Sequence, residues 1–311
     1  MDSSLYVTII GIIAATLRYS TPLIFGALGG IFSEKSGVVN IALEGIMVAG
    51  AFFAVLGSYI TGNPWMGLVF AAVGGMIFAA IHAYLSIHLQ AEQVVSGTGI
   101  NVFAPAIIGY MLFKVFGNPS QSSAVATLPY PREFFSNIPV IGPIIGDLNW
   151  FVWIAIALVI LASYILNKTA FGLRIKAVGE HPKAADTLGI NVYKIRYIAV
   201  LLSGVLAGIG GASLSIGVLN YFREGMISGR GFIALAAMIF GNWKPKNALF
   251  ACLLFGFAES LQLAAQSFGW SIPQEFYAAF PYLLTMLVLA GFVGKTQAPE
   301  ADGVPYRKNS R

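Results

Sequence analysis

The feature that most constrains this chain is a succession of apolar runs, each near the ~20 residues that a helix needs to cross a bilayer. Seven are complete: Ile41–Ile60, Pro64–His88, Val94–Phe116, Asn149–Asn167, Ile195–Gly217, Asn247–Gln266 and Gln274–Val293. Three shorter pieces, Leu5–Leu17, Thr21–Phe32 and Gly231–Trp243, hold 12 or 13 residues each. A helix of that length covers only about 20 Å, so these pieces are expected to be half-spans broken at glycine or to borrow flanking residues. Irregular backbone at membrane depth is tolerated only where protein or a watery cavity surrounds it, so a short piece hints at a pathway. The plainer alternative is ordinary short helices in a locally thin bilayer. Only 10% of the 311 residues are charged, against about a quarter in a soluble domain. Such a chain cannot coat a water-facing surface, which excludes an ordinary cytosolic enzyme, a disordered chain and a disulfide scaffold. The single cysteine, Cys252, lies in an apolar run and suggests neither disulfide nor metal chemistry. The fold class expected is all-α: a polytopic membrane protein of about 8–10 transmembrane helices. The apolar start at Leu5 follows no basic region and no small-residue cleavage pattern, so it reads as a retained helix rather than a signal peptide.

The basic residues set the orientation. Lys168, Arg174, Lys176, Lys183, Lys194 and Arg196 crowd one polar stretch, and Lys295, Arg307, Lys308 and Arg311 follow Gly294. The Pro-, Ser- and Gly-rich stretch Gly117–Leu148 holds only Arg132, which marks it as an extracellular connector. Threading ten segments through this arrangement puts 13 basic residues inside and 5 outside, Arg223 and Arg230 among the latter. It also places the N-terminus inside.

Two short patterns recur in the same order. Gly26-Ala27-Leu28-Gly29-Gly30 matches Ala207-Gly208-Ile209-Gly210-Gly211, and Gly37-x-x-x-Ile41-Ala42-Leu43 matches Gly229-x-x-x-Ile233-Ala234-Leu235. With five segments between the copies the halves run oppositely through the bilayer, an inverted repeat of the kind transporters use, with the path at the repeat interface. The division expected is a membrane domain over 1–293, made of a first half (5–116), an outer loop (117–148) and a second half (149–293) that carries a cytoplasmic loop (168–194). A cytoplasmic tail (294–311) follows.

Within that cytoplasmic loop, Pro182 suits a helix start and Gly189 a helix stop, which predicts a short helix over Pro182–Leu188. Ala184, Ala185 and Leu188 share one face at i,i+3/i+4 spacing; Glu180 and Asp186 flank it, and Arg174, Lys176 and Lys183 add positive charge. Small residues admit a close protein partner and the charges can orient it; a basic loop lying on anionic headgroups is the alternative.

The run Arg174-x-x-Ala-x-Gly179-x-x-Pro-x-Ala-Ala-x-x-x-Gly-Ile190, followed by Tyr193–Ala212, resembles the coupling segment of ATP-binding-cassette importer permeases, in the group of ribose and branched-chain amino acid systems. Thr21-Pro22 … Gly26-Ala27-Leu28-Gly29 … Ser33-Glu34-Lys35-Ser36-Gly37-Val38-Val39-Asn40-Ile41 … Glu44-Gly45 resembles the same family. Gln93-Val94-Val95-Ser96-Gly97-Thr98 … Asn101 is most similar to its nucleoside-uptake branch. Together these cover roughly Arg18–Val293.

The resemblance implies a type II importer-like permease that binds no cofactor itself, with ATP and Mg held by a separate ATP-binding subunit. The chain has no G-x-x-x-x-G-K-[ST] loop for phosphate. It further implies contact with that ATPase through Arg174, Gly179, Glu180, Pro182, Ala184, Ala185, Asp186, Leu188 and Gly189. Other implied partners are a second, different permease chain, an extracellular substrate-binding lipoprotein, the nucleoside and the lipid of a bacterial cell membrane, with no nucleic acid.

Ionisable groups cost about 2.5–3.5 kcal/mol at a helix centre on insertion scales, and Glu44 and Glu259 fall inside apolar segments. Neutral amides and hydroxyls suit an uncharged nucleoside, so Asn40, Gln93, Ser96, Asn101 and Gln262 are candidates for the path. Phe232, Phe103 or Trp243 could stack on a base. Bonding between helices is the alternative use of each polar group, and for Glu44 and Glu34 a structural role is expected. Catalysis is not: His82 and His88 stand on different helix faces without a His-Glu-x-x-His pattern, and no histidine and acid lie near Ser96 or Ser203 in sequence. The competing readings are a same-family permease for sugars, branched-chain amino acids or flavin-like solutes, and an ion-coupled secondary transporter.

Overall fold

The computed structural model describes residues 3–132, 146–267 and 296–308, with isolated positions between 276 and 286. The apolar run Gln274–Val293 therefore lies outside the continuously described residues. The helices are α1 (Ser3–Glu34), α2 (Leu43–Thr61), α3 (Pro64–Ala83), α4 (Gln93–Phe116), α5 (Trp150–Lys168), α6 (Ala170–Glu180), α7 (Pro182–Thr187), α8 (Val192–Leu214), α9 (Arg230–Phe240) and α10 (Pro245–Ser267). Among the described residues seven helices are long and apolar enough to cross a membrane, and α9 is a shorter apolar helix.

The first correction concerns α1. Leu5–Leu17 and Thr21–Phe32 are one helix of 32 residues with Pro22 inside it. A proline is tolerated in a membrane helix where hydroxyls satisfy nearby carbonyls. Here the hydroxyls of Thr16, Ser20 and Thr21 donate to the carbonyls of Ile12, Thr16 and Leu17 at 2.7, 2.6 and 2.7 Å, next to but not at the Arg18 carbonyl that Pro22 leaves without its helical donor. Arg18 does not break the helix either, because its guanidinium donates to the carbonyl of Asp147 in the outer loop at 2.8 Å. Merging two pieces into one reverses the parity of the first crossing. With the basic stretch 168–194 on the inner side, as expected, one helix in place of two puts the start of α1 on the outer side, against the expected inner N-terminus.

The helices that carry the two sequence repeats run antiparallel: α1 goes inward and α8 outward, α2 outward and α9 inward. Gly37 and Gly229 both adopt left-handed backbone, with φ of 85° and 83°. The copies differ beyond that point, since α9 starts directly after Gly229 while α2 waits until Leu43.

Glycine sets the closeness of the central helices. A Cβ on Gly50 of α2 would stand 2.2 Å from the carbonyl oxygen of Gly208 in α8, and one on Gly211 would stand 1.9 Å from that of Met47. Helix association in lipid depends on such close backbone approach, because apolar side chains gain nothing by leaving lipid. On the outer side, residues 120–128 lie across the end of α8: Ser122 and Val125 donate their backbone N–H groups to Phe222 and Asn220 at 2.9 and 2.8 Å. The outer loop is thus partly a cover as well as a connector.

Gly50→Leu is expected to separate α2 from α8, with a strain of about 1–3 kcal/mol or more. It should lower Tm and the monodisperse fraction in detergent. Gly99→Leu, at a position with no neighbour within 4 Å of the added carbon, should leave both unchanged.

Candidate functional site

Two regions stand out, one at membrane depth and one on the inner face. The first follows from the break between α1 and α2. The chain leaves α1 at Lys35, turns through Gly37, and passes 38–42 without helical pairing beside Ser203, eleven residues into α8, or about 16 Å along its axis. Backbone groups there have no water and must find protein partners.

Side chains supply them. Ser33 donates to the Val38 carbonyl at 2.6 Å, and Gln93 accepts from the Val39 N–H at 2.7 Å. His82 Nε2 stands 2.9 Å from the Val39 carbonyl, so this nitrogen carries the proton; Nδ1, 3.0 Å from Ser96 Oγ, is then the acceptor. Asn101 spans the entry to α2: its Nδ2 donates to the Ile41 carbonyl at 2.9 Å and its Oδ1 accepts from the Gly45 N–H at 2.8 Å. Asn40 donates to Ser203 Oγ at 2.8 Å. Four expected path residues, Asn40, Gln93, Ser96 and Asn101, are thus brought together around one broken segment. Of these, Asn40 and Gln93 each retain one buried polar atom without a hydrogen-bond partner, Oδ1 and Nε2. Phe232, on α9, is 49% exposed and Phe103 50%. Gln262 is half-buried on α10 and does not join the cluster. Trp243 is buried and donates its Nε1–H to Glu34 Oε2 at 2.6 Å, which takes its indole out of the path.

Sequence reasoning passed over His82 and Ser203 as supports. The usable signal was an ionisable side chain in the interior of a span, which requires a named partner.

The second broken element meets the first. α9 has 11 residues and covers about 16 Å, half of the ~30 Å hydrocarbon core. At its N-terminus Glu44 of α2 accepts from the N–H groups of Gly229 and Gly231 at 2.8 and 2.7 Å. These are the unpaired donors of a helix start, and a carboxylate there also opposes the positive end of the helix dipole. Glu44 thus has the structural role expected of it. Arg230, threaded outside from the sequence, instead sits at this buried helix start and pairs with Glu259 of α10. Beside Glu44 is a cavity of about 250 Å³, lined by Asn101, Pro105, Phe222, Glu224 and Ser228 among others. It adjoins the start of α9 but is smaller than the ~300–1,000 Å³ of usual ligand pockets.

On the inner face the short helix α7 starts at Pro182 and stops at Leu188, where Gly189 has φ of 82° and Ile190 N–H donates to the Ala185 carbonyl at 3.0 Å. Its faces correct the expectation from spacing. Ala185 is buried against the chain's own body at 2% exposure, whereas Ala184 is exposed and Leu188 is 81% exposed. Gly179 is buried as well, since a Cβ there would stand 2.2 Å from the Lys35 carbonyl oxygen. Arg174, Glu180 and Gly189 are exposed, and Pro182 and Asp186 half-buried. The outward surface is therefore Arg174, Glu180, Ala184, Leu188 and Gly189. Next to it, burial pushes the Asp302 carboxyl up to about 7, although the Arg196 guanidinium pulls it back. Burial, helped by neighbouring Lys176, lowers Lys35.

Over residues 12–289 the chain matches the family described as branched-chain amino acid transport system / permease component. It is 45% identical over 311 aligned residues to the guanosine ABC transporter permease protein NupQ of Bacillus subtilis, covering 96% of this chain and 97% of that protein. To the nucleoside ABC transporter permease protein NupC of Lactococcus lactis it is 46% identical over 308 residues, with the same coverage of 96% and 97%. A second Bacillus subtilis protein, guanosine ABC transporter permease protein NupP, is 27% identical over 257 residues, 78% of this chain and 72% of that one. With its polytopic helical fold and this extent of likeness, the chain belongs to the branched-chain amino acid transport system permease family, as a multi-pass ABC transporter permease.

Proposed function

We propose that the chain is one of two different permease subunits of an ATP-driven nucleoside importer in a bacterial cell membrane. The single observation that carries this reading is the identity of 45% and 46%, over nearly the whole chain, to permeases named for guanosine and for nucleosides. Pairing of unlike chains draws support from the relatives. In Bacillus subtilis the chain is 45% identical to NupQ but 27% to NupP, and in Lactococcus lactis 46% to NupC but 25% to NupB. In each organism it is thus much more similar to one of two permeases of the same name group than to the other. The small cavity within the single chain agrees with a path that a second chain completes, Phe232 being free to face it. Capture by an extracellular lipoprotein on the Gly117–Leu148 side is part of the same proposal.

Transport requires that a separate ATPase, holding ATP and Mg, prefer one permease conformation over the other. Moving an equilibrium from about 1:99 to 99:1 takes about 5.5 kcal/mol of such preference. In this reading α7 is the contact, and Leu188 is the side chain that seats in the ATPase. An apolar side chain 81% exposed gains about 1.5–3 kcal/mol when a partner covers it.

The test is uptake by the complete transporter in a host lacking its own nucleoside uptake. Labelled guanosine or uridine should accumulate with ATP, and unlabelled ribose or leucine should not compete. Competition by ribose or leucine would move the chain to another branch of the family. Uptake that needs no ATPase and collapses with an ion gradient would make it an ion-coupled carrier. Leu188→Glu should cut uptake at least about tenfold and release the ATPase during purification, with insertion normal; full uptake in this variant would remove α7 from the coupling role. Asn101→Leu leaves two buried backbone groups unpaired, at about 1–3 kcal/mol each. It should reduce folded protein while leaving the KM of the surviving fraction unchanged, and a selective rise in KM would instead make Asn101 a substrate contact.

A further inference from the structure

Residues 296–308 have partners distributed across the face of the molecule that carries α7. Gln297 N–H donates to Asn242 Oδ1, just past α9, at 3.0 Å. Ala301 N–H donates to the Gly179 carbonyl at the end of α6 at 2.9 Å, and Glu300 lies 3.5 Å from His181 between α6 and α7. Tyr306 packs edge-on against Tyr193 of α8, ring centroids 5.6 Å apart, and Tyr193 Oη donates to the Tyr306 carbonyl at 3.3 Å. Arg307 donates to Gln90, between α3 and α4, at 2.6 Å, and Lys308 stands 3.8 Å from Asp186 of α7.

Under the middle of this segment lies Arg196, 1% exposed. Its Nε donates to the Ser36 carbonyl at 3.1 Å and its Nη1 to the Val304 carbonyl at 3.0 Å, so one guanidinium ties the end of α1 to the tail. Burying a cation is expensive unless its donors are used, and here the tail supplies one acceptor. Asp302 brings the opposite charge near Arg196.

The pattern differs from that of a surface tail lying on one element. Within thirteen residues it touches the inner ends of α6, α8 and α9, the α3–α4 turn and α7 itself. Helix α7 is a six-residue helix, too short to be stable without packing. Its own attachment to the body is the buried Ala185 and the connections to α6 and α8.

We infer that residues 297–308 are a strap that makes α7 move as one body with the inner ends of α8 and α9, with Arg196 as the positioning residue that seats the strap. A push on α7 then reaches the half-helix α9, and through it the contact with Glu44, instead of being lost as hinging of the loop. The transport consequence rests on the proposed coupling role of α7; the mechanical claim does not.

The experiment has two readouts on the full chain. In the detergent-solubilised protein without partners, hydrogen exchange of residues 182–190 is compared between wild type and the triple variant Tyr306→Ala, Arg307→Ala, Lys308→Ala. Exchange should accelerate about tenfold or more in the variant, while the cores of α2 and α8 keep wild-type protection. Unchanged exchange in 182–190 overturns the strap, and this readout needs neither ATPase nor nucleoside. In the assembled transporter the same variant should keep the ATPase bound and hydrolysing, with nucleoside moved per ATP reduced about tenfold. An unchanged ratio overturns the transmission role. So does loss of the ATPase from the complex, which would make the tail a docking surface. Arg196→Lys keeps the charge but not the two-pronged geometry; it should show the same accelerated exchange, and wild-type exchange would remove Arg196 as the anchor. A wild-type complex that moves nucleoside without ATP defeats the importer reading and leaves the exchange result standing.

Discussion

Everything at the centre of this molecule depends on backbone that is not helical at membrane depth. Between α1 and α2, and again at the start of α9, the chain passes through short non-helical stretches whose peptide groups are buried or half-buried. Each such group left unpaired costs more than most side-chain contacts return. The solution is local and polar: Ser33, His82, Gln93 and Asn101 serve the first break, and both oxygens of Glu44 serve the second. Several polar residues of the spans are consequently gathered where two helices start, whereas the exposed residues of α3 include Val69, Val73 and Ile77 and those of α4 Val95, Val102 and Phe103.

This arrangement also joins the two halves. Glu44 belongs to α2 and caps α9, so a carboxylate from one repeat satisfies the helix start of the other. Displacing α9 along its axis therefore strains the entry to α2, which Asn101 holds from α4. Close glycine crossings between α2 and α8 make the neighbourhood stiff, since backbone in direct contact has no side chain to yield. Rigid central helices with a half-helix seated between them are suited to motion as bodies rather than to continuous deformation.

Much of this was legible from the chain alone because the bilayer is a severe solvent. Run length and the Pro182-to-Gly189 punctuation each report a single strong local constraint, and the described spans and α7 follow from them. Gly231–Trp243 is open to reading as a half-span or as an ordinary short helix, and the structure has the 11-residue α9 there. The misreadings share a cause. Pro22 and Arg18 look like a break in a one-dimensional hydropathy profile, but the helix runs through both, and the Asp147 carbonyl across the molecule takes up the Arg18 guanidinium. The assignment of Ala185 to the outward face failed likewise, because i,i+3/i+4 spacing groups residues on a helix without saying which side the body of the protein covers.

The sequence by itself determined a polytopic helical membrane protein with apolar pieces of unequal length and a short helix from Pro182, because insertion energies and helix punctuation act residue by residue. Only the tertiary structure decided that α1 is continuous and that Asn40, Gln93, Ser96 and Asn101 gather on one break. The capping of α9 by Glu44 and the lie of the tail over Arg196 were likewise settled there. Those outcomes turn on which buried donor finds which acceptor 50 to 200 positions away along the chain, a pairing fixed by packing and invisible to any local pattern.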